Sequence, residues 1–166
     1  MDVTHEPVGF SCPFCLEQRG YSDEWSQPSD IVAVTDRAYA RVAPKWWPGN
    51  PGSALVIARA HVENLYALSP EDNHAVWDLV QQLAIAVRST YTCEGTSIRQ
   101  HNEPAGDQDL WHLHVHVFPR HHGDDLYLRH RDARWVEASE RAEYATRLRR
   151  ALGMPTTFEN LEAGRM

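Results

Sequence analysis

Between Trp111 and Phe118 polar and apolar positions alternate strictly. His112, His114 and His116 take every second place, with Leu113, Val115 and Val117 between them. A period of two predicts a half-buried β-strand, with residues two apart on one face. The three imidazoles then stand about 7 Å apart in a row, while the aliphatic residues enter a core. Pro119, which has no N–H for a ladder, is expected to end the run.

The same reading orders the rest of the chain. Residues 31–35 are a strand, Asp36-Arg37 a turn, and 38–43 a weaker strand pairing back. Three prolines and two glycines between Pro44 and Gly52 predict an irregular loop. The wholly apolar 54–58 is a central strand. Ser69-Pro70-Glu71-Asp72 is a helix start, with Ser as N-cap, Pro at the first helical place and acids in the first turn. Val76, Leu79, Val80, Leu83 and Val87 then recur at threes and fours, the stripe of an amphipathic helix running to about Thr90. Residues 97–102 are a strand, and 103–110 turn the chain into the histidine strand, the two forming an antiparallel pair. Ser139 is the expected cap of a last helix running through Leu152, stopped by Gly153 and Pro155. Its stripe is Tyr144, Leu148 and Ala151. Residues 1–10 are expected to form a loose arm, and the tail from Thr156 to fray.

Composition narrows the class. A chain of 166 residues implies one domain with a real core. The net charge of −7, with no dominant basic patch, argues against nucleic acid as a partner. No apolar run approaches the length of a membrane span, and the first residues lack the layout of a signal peptide. A cytoplasmic location is the resulting expectation. Three cysteines do not make a disulfide framework. Cys12-Pro13-Phe14-Cys15 has the spacing of a redox dithiol or of half a zinc site. The βαβ context of a thioredoxin-like motif is missing around it, and a zinc site needs two further ligands from histidine.

Imidazoles at this density serve as metal ligands, acid–base groups or nucleophiles. A cupin-type metal site wants a carboxylate soon after His-x-His, yet the first after His116 is Asp124. A His-x-His-x-Asp-His dinuclear site wants an acid at position 116. What remains resembles the histidine triad family of nucleotidyl hydrolases and transferases, whose signature of three histidines alternating with apolar residues is matched at every place of 112–118. Asn102, the turn Gly106-Asp107-Gln108-Asp109, and Pro119-Arg120 extend the likeness, as does the stretch from Ala54 to Leu65. The resemblance covers roughly residues 10–122.

The resemblance implies an α+β fold: an antiparallel β-sheet of about five strands with packed helices, extended by a C-terminal helix at about 137–153. It implies that His114 attacks the α-phosphorus of a nucleoside 5′-phosphate derivative to form a nucleotidyl-histidine. His116 would bond phosphate oxygen or assist the leaving group, and Gln108 and Asn102 would donate to phosphate. Gly106, Asp107, Gln108 and Asp109 would supply a turn whose amides receive the anion. Hydrolysis of a phosphoramidate or dinucleoside polyphosphate is favoured over uridylyltransferase-like exchange, because the exchange branch usually carries two such domains. A nucleotide- or zinc-binding module with little turnover is the alternative. The family's ribose-binding Asp has no counterpart in the 44–52 loop. Trp46 and Trp47 stand there instead as candidates to stack on a base. Two departures, Asp107 in place of a second glycine and Asp109 in place of a small hydroxyl residue, put carboxylates beside the phosphate turn. From the branch of the family with N-terminal cysteines comes a structural Zn²⁺ set of Cys12, Cys15, His61 and His112, the rival being a reduced, metal-free pair. No Mg²⁺ motif is evident. A homodimer is implied by the resemblance alone.

Overall fold

The computed structural model of the chain describes residues 4–156 and Leu161. Helix α1 (Pro13–Gln18) is followed by strands β1 (Ile31–Val34), β2 (Ala38–Val42), β3 (Lys45–Trp46) and β4 (Ala54–Ala58). Helix α2 (Pro70–Thr90), strands β5 (Gly95–Gln100), β6 (His114–Arg120) and β7 (Arg134–Trp135), and helix α3 (Ala138–Ala151) complete it. Five strands form one sheet in the order β1-β2-β4-β6-β5, with every neighbouring pair antiparallel. This is the α+β architecture expected. Among the described residues no helix is long and apolar enough to cross a membrane.

The elements follow their local chemistry. Ser69 accepts a hydrogen bond from the Asp72 amide and caps α2, with Pro70 at the first helical place. The predicted stripe of α2 is buried, from Val76 to Val87. It packs on the sheet face formed by Val115 and Val117 of β6 and Val56 of β4, all nearly or fully buried. The histidines of β6 therefore look out from the opposite face.

Several boundaries differ from the sequence reading. The ladder of β6 begins at His114, not at His112, and runs on through Pro119 to Arg120. Pro119 is tolerated because β4 pairs with β6 only as far as Val117. Beyond that point only β5 lies alongside, and the Pro119 carbonyl is taken by the Asn50 side chain at 2.8 Å. The 44–52 loop is not wholly irregular, since Lys45 and Trp46 pair with Trp135 and Arg134 in a two-residue ribbon. Helix α3 starts one residue before Ser139, and Glu137 takes the N-cap place. The N-terminal arm is held down: the His5 amide donates to Glu63 at 2.9 Å, and His5 stacks on Trp111. The tail expected to fray lies, Leu161 apart, outside the described residues.

Candidate active site and metal centre

Strand register sets the site. His116 of β6 stands opposite Leu55 of β4 and Arg99 of β5, and His114 stands opposite Ile57. Directly paired residues share a face, so Arg99, His116 and Leu55 form one row across the sheet. Above this row lies a cleft of about 190 Å³ lined by His116, Phe118, Arg99, His101, Trp47 and Asp109 among others.

His114 is not one of the lining residues; it lies next to His116 on the same face of the strand, 9% exposed. Its ring lies 5.0 Å from that of His116 and 5.5 Å from Phe14, both edge-on. Nδ1 lies 2.8 Å from the His112 carbonyl, so it must carry the proton and donate. That fixes the tautomer and leaves Nε2 with a lone pair. Nε2 has no hydrogen-bond partner among the described residues, yet it is not among the enclosed unpartnered polar atoms. It therefore reaches solvent. Burial lowers the pKa of His114 from its ordinary value, against an opposing pull from the Asp109 carboxylate. Burial, aided by the charges of neighbouring His114, His101 and Arg99, holds His116 well below the ordinary range. Both rings are thus neutral at pH 7.

The turn before β6 is more self-contained than the sequence suggested. The Gln108 side chain is buried. Its amide nitrogen donates to the carbonyls of Glu63 at 2.6 Å and Leu110 at 3.0 Å, and its oxygen accepts from the Glu103 amide at 2.7 Å. With both donors spent, Gln108 holds the turn and has none left for phosphate. Asn102 is similarly engaged, accepting from the Leu65 amide and donating to Gln100. The amides of Gly106, Asp107 and Gln108 close onto carbonyls of the turn itself. Of the four amides expected to form an anion nest, Asp109 alone keeps an N–H without a protein acceptor among the described residues. The left-handed residue of the turn is Asp107, at φ 64°, not Gly106. Aspartate tolerates that region better than most side chains.

The two tryptophans separate. Trp46 is 1% exposed, donates to the Ala43 carbonyl at 2.7 Å and packs edge-on against Tyr144. It is core and unavailable to a base. Trp47 borders the cleft and stands edge-on to Phe118, with ring centres 5.3 Å apart. Arg99, His101 and Lys45 also line the cleft, and sequence reasoning passed over all three. The signal was available in the period of β5, which puts Ser97, Arg99 and His101 on the face that pairs with Phe118 and His116.

Beside the histidine strand, Cys12, Cys15, His61 and His112 bring one donor atom each to within 4.8 Å of one another. Cys12 Sγ lies 3.2 Å and Cys15 Sγ 3.6 Å from His112 Nδ1. His61 Nδ1 lies 3.2 Å from both Cys15 Sγ and His112 Nδ1. The outer nitrogens decide the tautomers. His112 Nε2 lies 2.8 Å from the Ala58 carbonyl and His61 Nε2 lies 2.7 Å from the Glu6 carboxylate, so each carries its proton there. Two Nδ1 lone pairs and two sulfurs then converge on one point, which is repulsive unless a cation sits between them. The separations fit a tetrahedron around an ion with bonds of about 2.0–2.3 Å, the lengths zinc makes to imidazole and thiolate. A carboxylate and a carbonyl behind the two histidines are the usual orienting partners of such ligands. The donor set is compatible with Zn²⁺.

Fold and site together define an α+β protein whose sheet carries histidines beside a small cleft, next to a Cys2His2 cluster. The HIT domain model matches residues 24–123, more than half of the sequence, and the chain belongs to the histidine triad family. It is 30% identical over 70 residues to Protein hit of Bacillus subtilis, and that match spans 48% of the relative. It is 26% identical over 92 residues to a bis(5'-adenosyl)-triphosphatase of Dictyostelium discoideum, covering 55% of this chain and 60% of the relative. Among solved structures, a Zn-bound histidine triad family protein from Mycobacterium smegmatis superposes with a TM-score of 0.70 at 26% identity, over 86% of this chain and 94% of that one.

Proposed function

We propose that the protein is a nucleotide-processing hydrolase acting through a covalent nucleotidyl-His114. One observation carries the reading: His114 Nδ1–H is anchored to the His112 carbonyl, and Nε2 keeps a lone pair with no partner among the described residues, on a ring 5.0 Å from that of the cleft residue His116. A neutral imidazole so oriented is a competent nucleophile at pH 7. Attack forms a bond from Nε2 to the α-phosphorus. The bond to the leaving group breaks and its electron pair departs with that group. Water then attacks the same phosphorus, breaks the nitrogen–phosphorus bond and releases the nucleoside monophosphate and a proton. His116, neutral and without a hydrogen-bond partner among the described residues, donates its ring N–H to a phosphate oxygen, and the Asp109 amide supplies a second donor. Gln108 acts by holding the turn that positions Asp109. Trp47 offers an aromatic face to the base.

The Cys12, Cys15, His61 and His112 cluster holds a structural zinc in this reading. Four protein ligands close the coordination sphere, so the ion would pin α1 and the arm onto the sheet beside His114. The residues themselves fix the rings of His61 and His112 through Glu6 and Ala58, and His112 in turn presents the carbonyl that orients His114.

Mass spectrometry of protein quenched during turnover tests the function. A nucleotidyl adduct on the wild-type chain, lost in His114→Ala, is the expected result. Steady turnover by His114→Ala, or turnover with no adduct on a millisecond quench, would sink the covalent route.

A further inference from the structure

Arg99 has a fixed position and an unused set of donors. It stands directly opposite His116. Its guanidinium carbon lies 5.3 Å from the centre of the Phe118 ring and 5.4 Å from that of Tyr127. Aromatic contacts of this kind engage the faces of the guanidinium and leave its in-plane N–H groups available. Arg99 has no hydrogen-bond or carboxylate partner among the described residues, and it lines the cleft. Arg120 shows the contrast. It also lies over Tyr127, but its donors are consumed by Asp124 at 2.7 and 2.8 Å and by Ser97 at 2.8 Å.

Four charged residues line the cleft: Arg99, Lys45, Asp107 and Asp109. Of these, Arg99 is the one that the strand register fixes directly opposite His116. A second anionic group beside His116 is therefore met by a cation. The leaving-group chemistry agrees. His116 is held neutral by burial, so it brings no spare proton. A phosphate leaving group needs none, because it departs with the electron pair of the phosphorus–oxygen bond as an anion. An amine leaving group does need one.

We propose that Arg99 is a specificity-determining residue that binds a further phosphate beyond the one attacked, and so selects substrates in which a polyphosphate, not an amine, is displaced. This rests on the cleft being the nucleotide-processing site. His114 Nε2 bonds to the first phosphorus, the phosphorus–oxygen bridge breaks, and Arg99 holds the negative charge left on the departing phosphate.

The test compares wild type, Arg99→Gln and Arg99→Lys on a dinucleoside triphosphate and on a nucleoside phosphoramidate with a neutral amine leaving group. Arg99→Gln is expected to lower kcat/KM for the triphosphate about 10- to 100-fold, the range for charge-assisted hydrogen bonds, and to change the phosphoramidate less than about threefold. Arg99→Lys recovers part of the loss. A thermal melt matching that of wild type shows that the variant is folded. Equal losses on both substrates, or no loss on the triphosphate, overturn the proposal. Calorimetric titration with inorganic tripolyphosphate separates this from the parent reading. If wild type turns over neither nucleotide, the hydrolase reading fails. Tripolyphosphate binding that weakens in Arg99→Gln then supports the anion site, and binding that is absent or unaltered overturns it.

Discussion

Asp30 is expected to be among the most costly single positions to change. It is fully buried and holds two buried arginines at once. Its oxygens accept from Arg141 Nε and Nη2 and from Arg41 Nη2, all at 2.9 Å, and from the Gln27 amide at 3.0 Å. Arg41 also reaches Glu17, so in the hydrogen-bonded cluster two cations meet two carboxylates, and a third buried cation, Arg149, lies within reach of the Asp30 charge. Asp30→Asn keeps the shape but removes one of the two buried negative charges facing these arginines. Whichever oxygen its amide nitrogen replaces, that nitrogen meets a donor of Arg141. Arg41 retains Glu17, but Arg141 keeps only the carbonyls of Val136 and Glu24. Breaking a buried pair from one side costs about 3–5 kcal/mol. For a chain of this size that is a fall in Tm of about 6–20 °C. Urea unfolding at constant m-value, with thermal melts at matched zinc concentration, measures it. The paired change Asp30→Leu with Arg141→Met removes charge from both sides and should cost less than Asp30→Asn alone. A loss under about 1 kcal/mol for Asp30→Asn, or a larger loss for the pair, would refute the view that an uncompensated buried charge sets the cost.

Gly52 has φ +81°, and a Cβ there would lie 2.3 Å from Tyr144 Cδ1 and 2.7 Å from Tyr91 Cε2. Gly52→Ala is therefore expected to destabilise by about 2–4 kcal/mol from backbone strain and overpacking together, and an unchanged urea midpoint would contradict this. One zinc per chain is expected by elemental analysis, falling in Cys15→Ser. Protein with zinc at a thousandfold excess over its Kd should be about 4 kcal/mol more stable than after chelation, and an unchanged melt would remove the structural role. Because burial holds His114 and His116 below 6.5, the acid limb of kcat/KM should lie below pH 6.5. The stability gained by keeping them neutral is fully present above pH 6.5 and is lost as pH falls through the lowered folded values; a limb at pH 7 or above would oppose this.

Much of the fold was legible because period and punctuation agree locally. The stripe of α2 and its Ser69 cap, the apolar β4 and the alternation of β6 each carry their own signal; burial follows the pattern in α2 and β4, whereas in β6 His114 and Phe118 on the histidine face are buried too. The metal set was legible only through resemblance, since Cys12 and His112 are a hundred residues apart and meet only when the arm folds back on the sheet. What could not be read was polar burial. In sequence, Arg41, Arg141, Arg149, Glu17 and Asp30 look like surface charges. In the fold, Arg149 is buried and donates to the carbonyls of Ser29 and Ile31. A charge reveals its partner only when distant strands and helices are in register.

The same principle accounts for the revised roles around the cleft. Trp46 and Trp47 are adjacent and chemically alike, but the short β3–β7 pairing turns one into the core and leaves the other at the rim. Gln108 occupies the place where a phosphate donor was expected, yet its donors close the turn on itself, and of the turn amides only that of Asp109 is left without an acceptor among the described residues. Arg99 carried no motif at all. Its place opposite His116 and between two aromatic rings comes from the β5–β6 register, and a one-residue slip would put Ile98 there instead. In the proposed reading, substrate choice then follows from which residues the register leaves unpaired, while the histidine row accounts only for the attack on phosphorus.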